Sequence, residues 1–301
     1  MEFFFQQLLN GLAVGGIYAL VALGYTMVYG VLKLINFAHG DLFAIGAYLG
    51  LTLLVSCNLA GILSPLPAVL LVCVMVAVLV AIIGYLLERV AYRPLRHAGR
   101  LSAVVSALGA SIFFENALML IYGARVYVYP DFLRPDFTVH LFGLSIPGMR
   151  ILIIVSCVVL MVAMQVFMLR TKTGAAIRAV AIDQGAAQLM GINVNSTISA
   201  TFAIGSALAA IAGVLLCSFN TSLMPTTGSM PGIKAFTAAV FGGIGSIPGA
   251  FLGGLLLGII EALAKAYIST TLANAIVFAV LIVVLLVKPA GLLGKYVPEK
   301  V

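Results

Sequence analysis

Eight apolar blocks, each long enough to cross a lipid bilayer, dominate this sequence. They occupy residues 8–30, 35–56, 66–88, 101–123, 149–169, 198–220, 248–266 and 271–288. A spanning helix needs roughly 20 mostly apolar residues, and a helix satisfies its own backbone polar groups inside lipid. We therefore predict an all-α polytopic membrane protein in which residues 1–301 form a single transmembrane domain.

The composition argues against several classes of function. Only 8% of the residues are charged and 63% are hydrophobic, whereas soluble domains carry about 25% charged residues. The net charge of +7 does not indicate nucleic acid, because the basic residues are sparse and stand in short loops. The sequence contains no Walker A motif (GxxxxGKS or GxxxxGKT) and no GxSxG motif. We therefore expect membrane lipid around this chain, and neither catalysis, nor ATP hydrolysis, nor a metal site within it.

Basic residues predict the orientation of the helices. They cluster in segments 89–100 and 170–178 and in the tail that begins at Lys288, and the positive-inside rule places such segments in the cytoplasm. Eight crossings would leave the tail outside. A ninth, short crossing near residues 231–246 would bring it inside, but a re-entrant segment there would also suit its many glycines and prolines. We expect eight to nine spanning helices, one of them short and broken, and an outward-facing loop at 124–148.

Glycines that recur every fourth residue indicate close helix packing. Gly245, Gly249 and Gly253 show this spacing, as do Gly11 and Gly15 in the first block. Small residues at this spacing let helix backbones approach each other in lipid. We expect these glycines to form helix contacts, and a subunit interface is the alternative.

Polar residues inside apolar blocks are candidates for function, since burying them in a membrane is costly. Asn36, His39 and Asp41 stand at the start of the second block. They could cap free N–H groups of a helix, or they could form a gate at a break between helices. Glu115 and Asn116, in the fourth block, are further candidates for a gate or translocation path.

One further carboxylate in an apolar block has an obvious local partner. Glu261 stands four residues before Lys265, a spacing that brings two side chains together on a helix surface. We interpret this pair as a surface ion pair rather than a transport site.

The longest polar interruption, residues 170–197, reads RTKTGAAIRAVAIDQGAAQLMGINVNST. Its alanines favour helix, and Gly185 and Gly191 divide it into short pieces. A helix lying on the membrane would need bulky apolar anchors opposite its basic face, and the alanine-rich centre lacks bulk. We therefore expect this segment to dock against a partner protein.

Four separated stretches give the chain a resemblance to a known family. They are YALVALGYTMVYGVLKLINFAHGDLFAIGAY, ERVAYRPLR, GAAIRAVAIDQGAAQLMGINV and KAFTAAVFGGIGSIPGAFLGGLLLGIIEAL. Together they resemble the LivH-type permease subunits of high-affinity branched-chain amino-acid ABC transporters. The third stretch is similar to the EAA loop of ABC permeases. Its EAAxxxG pattern falls on Gly185, Ala186, Ala187 and Gly191, and Asp183 stands two residues before the acidic position.

The resemblance implies a permease fold and a division of labour. This chain would pair with a second, LivM-like permease in the bacterial cytoplasmic (inner) membrane, and a periplasmic binding protein would deliver leucine, isoleucine or valine. Two partner subunits would use ATP and Mg²⁺, and this chain would bind no cofactor. The implied contacts with the ATPases lie at Arg178, Asp183, Ala186, Ala187, Met190 and Gly191.

Two alternatives remain open at the level of sequence. A permease of the same superfamily could carry a sugar, an amide or urea. A self-sufficient secondary transporter could couple ions through His39, Asp41 and Glu115. Inverted internal repeats would favour the second alternative, and the two halves of the sequence show no convincing repeat.

Overall fold

The computed structural model describes residues 2–58, 62–96, 98–131, 134, 137–141 and 144–294. Within these ranges the chain forms eleven α-helices and four short β-strands. The helices are α1 (Glu2–Leu32), α2 (His39–Ser56), α3 (Pro65–Leu87), α4 (Arg100–Tyr122), α5 (Gly148–Arg170), α6 (Lys172–Ile182), α7 (Gln184–Leu189), α8 (Val194–Phe219), α9 (Ser229–Gly242), α10 (Ile247–Tyr267) and α11 (Ala273–Val287). The strands are β1 (Tyr127–Val128), β2 (Thr138–Leu141), β3 (Leu144–Pro147) and β4 (Ser222–Leu223). Most of the basic tail beyond Lys288 and parts of the 124–148 loop lie outside the described residues.

Within the described part of the chain, seven helices are long and apolar enough to span a membrane, namely α1, α2, α3, α4, α5, α8 and α10. A π-helical turn (Glu88–Tyr92) and a 3-10 turn (Arg93–Leu95) continue α3, so most of the basic segment predicted as a loop is helical. α9 and α11 have 14 and 15 residues. At 1.5 Å per residue they are about 21 and 22 Å long, less than the roughly 30 Å of a bilayer core. The predicted all-α polytopic architecture is confirmed.

The molecule has two ends, which we name after the elements they carry. At the strand end, β1 pairs with β4 and β2 with β3, and Gln6 near the start of α1 donates a hydrogen bond to the Ser145 carbonyl at 3.2 Å. At the hairpin end lie α6 and α7, where Gln184 donates to the carbonyl of Val31 at 3.0 Å. The long helix α1 therefore runs from the strand end to the hairpin end.

The short helix α9 returns the described chain from the strand end to the hairpin end. α8 ends at the strand end, where Leu223 pairs with Tyr127. Residues 220–228 then lead inward to α9, and Gly242 at the other end of α9 accepts a hydrogen bond from the Leu293 amide at 2.9 Å. A pocket that joins the α9–α10 turn to Ile177 of α6 identifies this as the hairpin end. The described chain thus begins and finishes at opposite ends, which requires an odd number of passes.

Helices α1–α4 and α8–α11 have equivalent neighbours although they run in opposite directions. α1 packs along α10, and its counterpart α8 packs along α3. α2 contacts α8, and its counterpart α9 contacts α1. The two sets meet where α1 and α8 cross at Gly24 and Gly205. This inverted repeat lies in the helix packing and is not visible in the residue identities of the two halves.

The glycines that recur every fourth residue inside helices stand at close contacts between backbones. Gly249 and Gly253 pack against the backbone of α9 at Gly242, while Gly11 and Gly15 pack against the backbone of α10. Gly245 does not belong to this pattern. It lies in the turn before α10 with a φ of +94°, and apart from its chain neighbours no described residue has an atom within 4 Å of the position that a Cβ atom would take. The four-residue spacing therefore crosses the start of a helix, where it no longer marks a common face.

Candidate functional site

The break between α1 and α2 holds three of the predicted polar residues inside the protein. Asn36, His39 and Asp41 are buried. Residue 38 is the N-cap of α2, and no side chain caps this helix, so the capping interpretation was wrong. Instead Tyr92 donates a hydrogen bond to the amide oxygen of Asn36 at 2.6 Å, and Ser111 donates one to the Asp41 carboxylate. These bonds tie the start of α2 to the end of α3 and to α4.

His39 is the most enclosed polar side chain of the break. Its ring is fully buried and lies 4.5 Å from the ring of Tyr25, measured between centroids. Neither ring nitrogen makes a hydrogen bond to a described residue. The ring fills the space beside Gly24, where a methyl group would collide with the imidazole and with the Gly205 carbonyl.

The starts of α2 and α9 meet at this point. A methyl group on Gly40 would come within 2.7 Å of the Gly228 carbonyl oxygen and 3.2 Å of the Gly232 Cα atom. We call the contact among Gly24, His39, Gly40, Gly228 and Gly232 the central junction. Helix starts carry unsatisfied N–H groups and partial positive charge. The loop 33–38 leads to the start of α2, and segment 220–228, which contains β4 and a 3-10 turn (Pro225–Gly228), leads to the start of α9. These two helix starts contact each other inside the molecule.

The remaining gate candidates lie on α4, to one side of the central junction. Asn116 is exposed and donates a hydrogen bond to the Ile112 carbonyl of its own helix at 2.7 Å. Glu115 is half-buried and stands one helical turn after Ser111, on the face that contacts Asp41. The structure thus brings Asn36, His39 and Asp41 together, places Glu115 on the neighbouring face, and leaves Asn116 apart.

A buried ionic cluster links α1, α9 and α10. Glu261 is 1% exposed, and its carboxylate accepts hydrogen bonds from Lys234 at 2.7 Å, Lys265 at 2.6 Å and Tyr18 at 2.9 Å. The predicted pairing with Lys265 is confirmed, but its description as a surface ion pair was wrong. Sequence reasoning missed Lys234, which is 27 residues away. A lysine within the short apolar crossing was the available signal, since intramembrane charges rarely lack a partner.

A second cluster joins α3 to α8 at the hairpin end. Glu88 in the π-helical turn is fully buried, and its carboxylate accepts hydrogen bonds from Arg96 and Ser199. Arg96 also donates to the Asn195 side chain at 2.7 Å. Burial lowers the pKa of the Arg96 guanidinium, and the carboxylate of Glu88 opposes that shift. Sequence reasoning treated these arginines only as topology signals and did not identify Glu88.

The hairpin of α6 and α7 has well-defined ends. The Asp183 carboxylate accepts a hydrogen bond from the Ala186 amide at 3.0 Å and so caps α7. At the other end Gly191 has a φ of +82°, its amide donates to Gln188, and the next amide donates to Ala187. This is the Schellman arrangement, which favours glycine at that position. Asp183 and Gly191 therefore fix where α7 begins and ends.

Bulky apolar side chains cover the tip of the hairpin. Ile182, Leu189 and Met190 are 88%, 91% and 83% exposed. We call these three residues the apolar ridge. The alanine-rich centre lacks bulk, as expected, and the bulky apolar side chains stand at the helix ends. Of the other predicted contact residues, Arg178 and Ala186 are exposed and Ala187 is buried in the protein, where it packs instead of facing outward.

An open polar pocket of about 800 Å³ lies beside α7. It separates α7 from the end of α3, and its lining includes Arg93, Arg96, Gln184, Gln188 and Asn195. Arg96 and Asn195 line this pocket, so the pocket lies between the hairpin and the buried Glu88 cluster. Among the residues that the structure describes, no three His, Cys, Asp or Glu side chains come together to hold a metal ion.

Comparison with known proteins identifies the family of this arrangement. The family described as branched-chain amino acid transport system, permease component, matches residues 7–285. The chain belongs to this family. It is 45% identical over 302 residues to the high-affinity branched-chain amino acid transport system permease protein BraD of Pseudomonas aeruginosa, with 99% of this chain and 98% of the relative covered. Identity and coverage are the same for LivH of Escherichia coli strain K12.

A more distant relative carries a different name. The autoinducer 2 import system permease protein LsrC of an Enterobacter species is 32% identical over 165 residues, which are 52% of this chain and 46% of the relative. No solved structure matches. As a permease of this family the chain is a multi-pass protein of the cytoplasmic membrane, and the hairpin and the central junction are its two sites of interest.

Proposed function

We propose that this permease forms half of the transmembrane path of an ATP-driven importer of leucine, isoleucine and valine. The names of the relatives that match almost the full chain support this substrate class. The observation that carries the coupling role is the apolar ridge, because a solvent-exposed cluster of this kind is typical of a protein contact site.

The hairpin supplies the contact with a partner ATPase in this proposal. Ile182, Leu189 and Met190 would enter a groove of the ATPase, and the exposed Arg178 would lie at the edge of the contact. Asp183 and Gly191 hold α7 at a fixed length, so that force on the ridge moves the hairpin as a rigid unit. ATP and Mg²⁺ would be bound by the partner subunits, and this chain would bind no cofactor.

Two sets of hydrogen bonds would carry the movement inward. Gln184 ties α7 to the end of α1, and Arg96 with Glu88 ties the end of α3 to α8. From the end of α3, Tyr92 reaches Asn36 in the break before α2. A shift of the hairpin would therefore displace the starts of α2 and α9, whose backbones are in contact at the central junction.

The central junction suits an amino acid as cargo. Helix starts within a membrane favour anionic groups such as a carboxylate, and the surrounding helices supply apolar surface for an aliphatic side chain. A second permease, similar to LivM, would complete the path. A periplasmic binding protein would dock at the strand end, which includes the 124–148 loop.

Uptake of labelled leucine by vesicles that carry the whole complex tests this proposal. We expect isoleucine and valine to compete with leucine, and urea and ribose to have no effect. Strong competition by urea or ribose would identify a permease for another small solute. The purified chain alone should hydrolyse no ATP, and uptake driven by an ion gradient without ATP would support the secondary-transporter alternative. The inverted repeat of the helices would favour that alternative, so the dependence of uptake on ATP decides between the two.

A further inference from the structure

We propose that a pocket at the strand end binds the phosphate of an anionic lipid headgroup. The pocket has a volume of about 240 Å³ and lies among α1, α5, α8 and α10. We call it the outer pocket, and its lining includes Gln7, Asn10, Val14, Arg150, Phe219 and Lys265. It is distant from the hairpin and plays no part in the proposed coupling.

Arg150 provides the main reason to expect a ligand. Its Nε and Nη1 atoms are buried and have no hydrogen-bond partner among the described residues. A buried donor without an acceptor is costly, and the cost is larger for a charged group. The planar guanidinium presents adjacent N–H groups that match two oxygens of a phosphate. A phosphate in the outer pocket could bond to two adjacent N–H groups of Arg150, and such a pair includes one of the two donors that the described chain leaves open.

The charge of the outer pocket favours an anion. Arg150 and Lys265 line it together with Glu261, but the carboxylate of Glu261 already accepts bonds from Lys234, Lys265 and Tyr18. The pocket lining therefore holds two cations, Arg150 and Lys265, and one carboxylate. Water could accept hydrogen bonds from Arg150, but it would not balance this excess of positive charge.

The position of the pocket favours a lipid as the source of the phosphate. Arg150 lies in the first turn of α5, and Gln7 and Asn10 lie in the first three turns of α1, which is the depth of headgroups for helices that start at a membrane surface. Asn10 also has a buried amide oxygen without a donor, which a glycerol hydroxyl could supply. Val14 and Phe219 form an apolar wall against which the first part of an acyl chain could pack. Phosphatidylglycerol combines these groups.

Native mass spectrometry of the intact transporter complex tests this site with phosphatidylglycerol as the probe. We expect Arg150→Gln to reduce the apparent affinity for this lipid at least about tenfold, since it removes charge-assisted hydrogen bonds. Arg150→Lys keeps the positive charge but not the pair of adjacent N–H groups. The apparent affinity of this variant for phosphatidylglycerol should therefore be intermediate. The matched control is Arg125→Gln, which removes an exposed cation that lies at the strand end but outside the outer pocket. This control should leave the retention of phosphatidylglycerol unchanged.

Three results would overturn the proposal. These are equal retention by Arg150→Gln and the unmodified complex, displacement of the lipid by millimolar inorganic phosphate, and displacement by leucine. The second would identify a site for free phosphate, and the third would identify a substrate site. If Arg150→Gln fails to assemble, competition on the unmodified complex decides: preference for phosphatidylglycerol over phosphatidylethanolamine supports the site, and equal binding contradicts it.

Discussion

Glycines determine how closely the helices approach at the central junction. Gly24 leaves room for the imidazole of His39, and Gly40 leaves room for the backbone at Gly228. Neither ring nitrogen of His39 has a hydrogen-bond partner that meets the geometric criteria among the described residues, so the packing around the ring is the main constraint on its position. The glycines therefore influence the geometry of this site as much as the titratable His39 does.

Replacing Gly24 by alanine should damage the central junction. The new methyl group would collide with the His39 ring and lie 2.9 Å from the Gly205 carbonyl oxygen, and overpacking of this kind costs about 1–3 kcal/mol. We expect a lower melting temperature of the purified complex and slower leucine uptake. Gly30→Ala is the control on the same helix, because no atom lies within 4 Å of its added methyl group. Equal behaviour of the two variants would contradict this account of the junction.

Gly191 allows a second test at the scale of one residue. Its positive φ disfavours any side chain by about 1–2 kcal/mol, and a bulky charged residue would also stand beside the apolar ridge. We expect Gly191→Glu to abolish ATP-driven uptake while the protein still inserts into the membrane, as measured by vesicle uptake and membrane fractionation. Gly185→Ala, in the same hairpin without a positive φ, should transport normally. Normal uptake by Gly191→Glu would refute the docking role.

At the scale of elements, buried ionic contacts hold helices together that are distant in sequence. Glu88 in the continuation of α3 bonds to Ser199 of α8, which is 111 residues away. Lys234 of α9 bonds to Glu261 of α10. The Glu88 cluster stabilises the position of a helix end, and the Glu261 cluster stabilises the position of the short helix α9. Each of these would be held only weakly by its own apolar surface. Their loss should therefore affect the relative position of helices before it affects the helices themselves.

Removing Glu88 should destabilise the protein, because Arg96 would be left with an uncompensated charge. Loss of one partner of a buried ion pair costs about 3–5 kcal/mol, and we expect Glu88→Leu to lower the melting temperature of the complex clearly. The double variant Glu88→Leu with Arg96→Met should recover much of that stability. If the cluster also transmits movement, the double variant will remain slow in uptake. Full recovery of both properties would limit the cluster to a structural role.

Helix positions could be predicted from the sequence, but the contacts between helices could not. Runs of apolar residues and the Gly191 break depend on local chemistry, and the structure agrees with them. The partner of Glu261 on α9 and the approach of Gly40 to Gly228 depend on how distant segments fold together. A local pattern carries no information on such contacts, which is why Glu261 was assigned to a surface and the inverted repeat was not seen.

At the scale of the whole molecule, an odd number of passes places the last described residues at the same end as the other basic segments. α1 begins at the strand end, and the residues after α11 lie against Gly243 at the hairpin end. Segments 89–96 and 170–178 lie at that same end. The positive-inside rule then places the whole hairpin end in the cytoplasm, where a partner ATPase would meet the apolar ridge.

Cysteine labelling in intact cells tests this orientation. In a Cys57→Ser background, which removes the exposed native cysteine, a cysteine at Lys288 should react with an impermeant maleimide only after the cells are permeabilised. A cysteine at Ser269, between α10 and α11, should react without permeabilisation, because it lies at the strand end. An eight-pass chain, with residues 231–246 re-entering on the outer side, predicts the opposite result at Lys288. Labelling of Lys288→Cys in intact cells would therefore exclude the ninth pass through α9 and separate the tail from the hairpin.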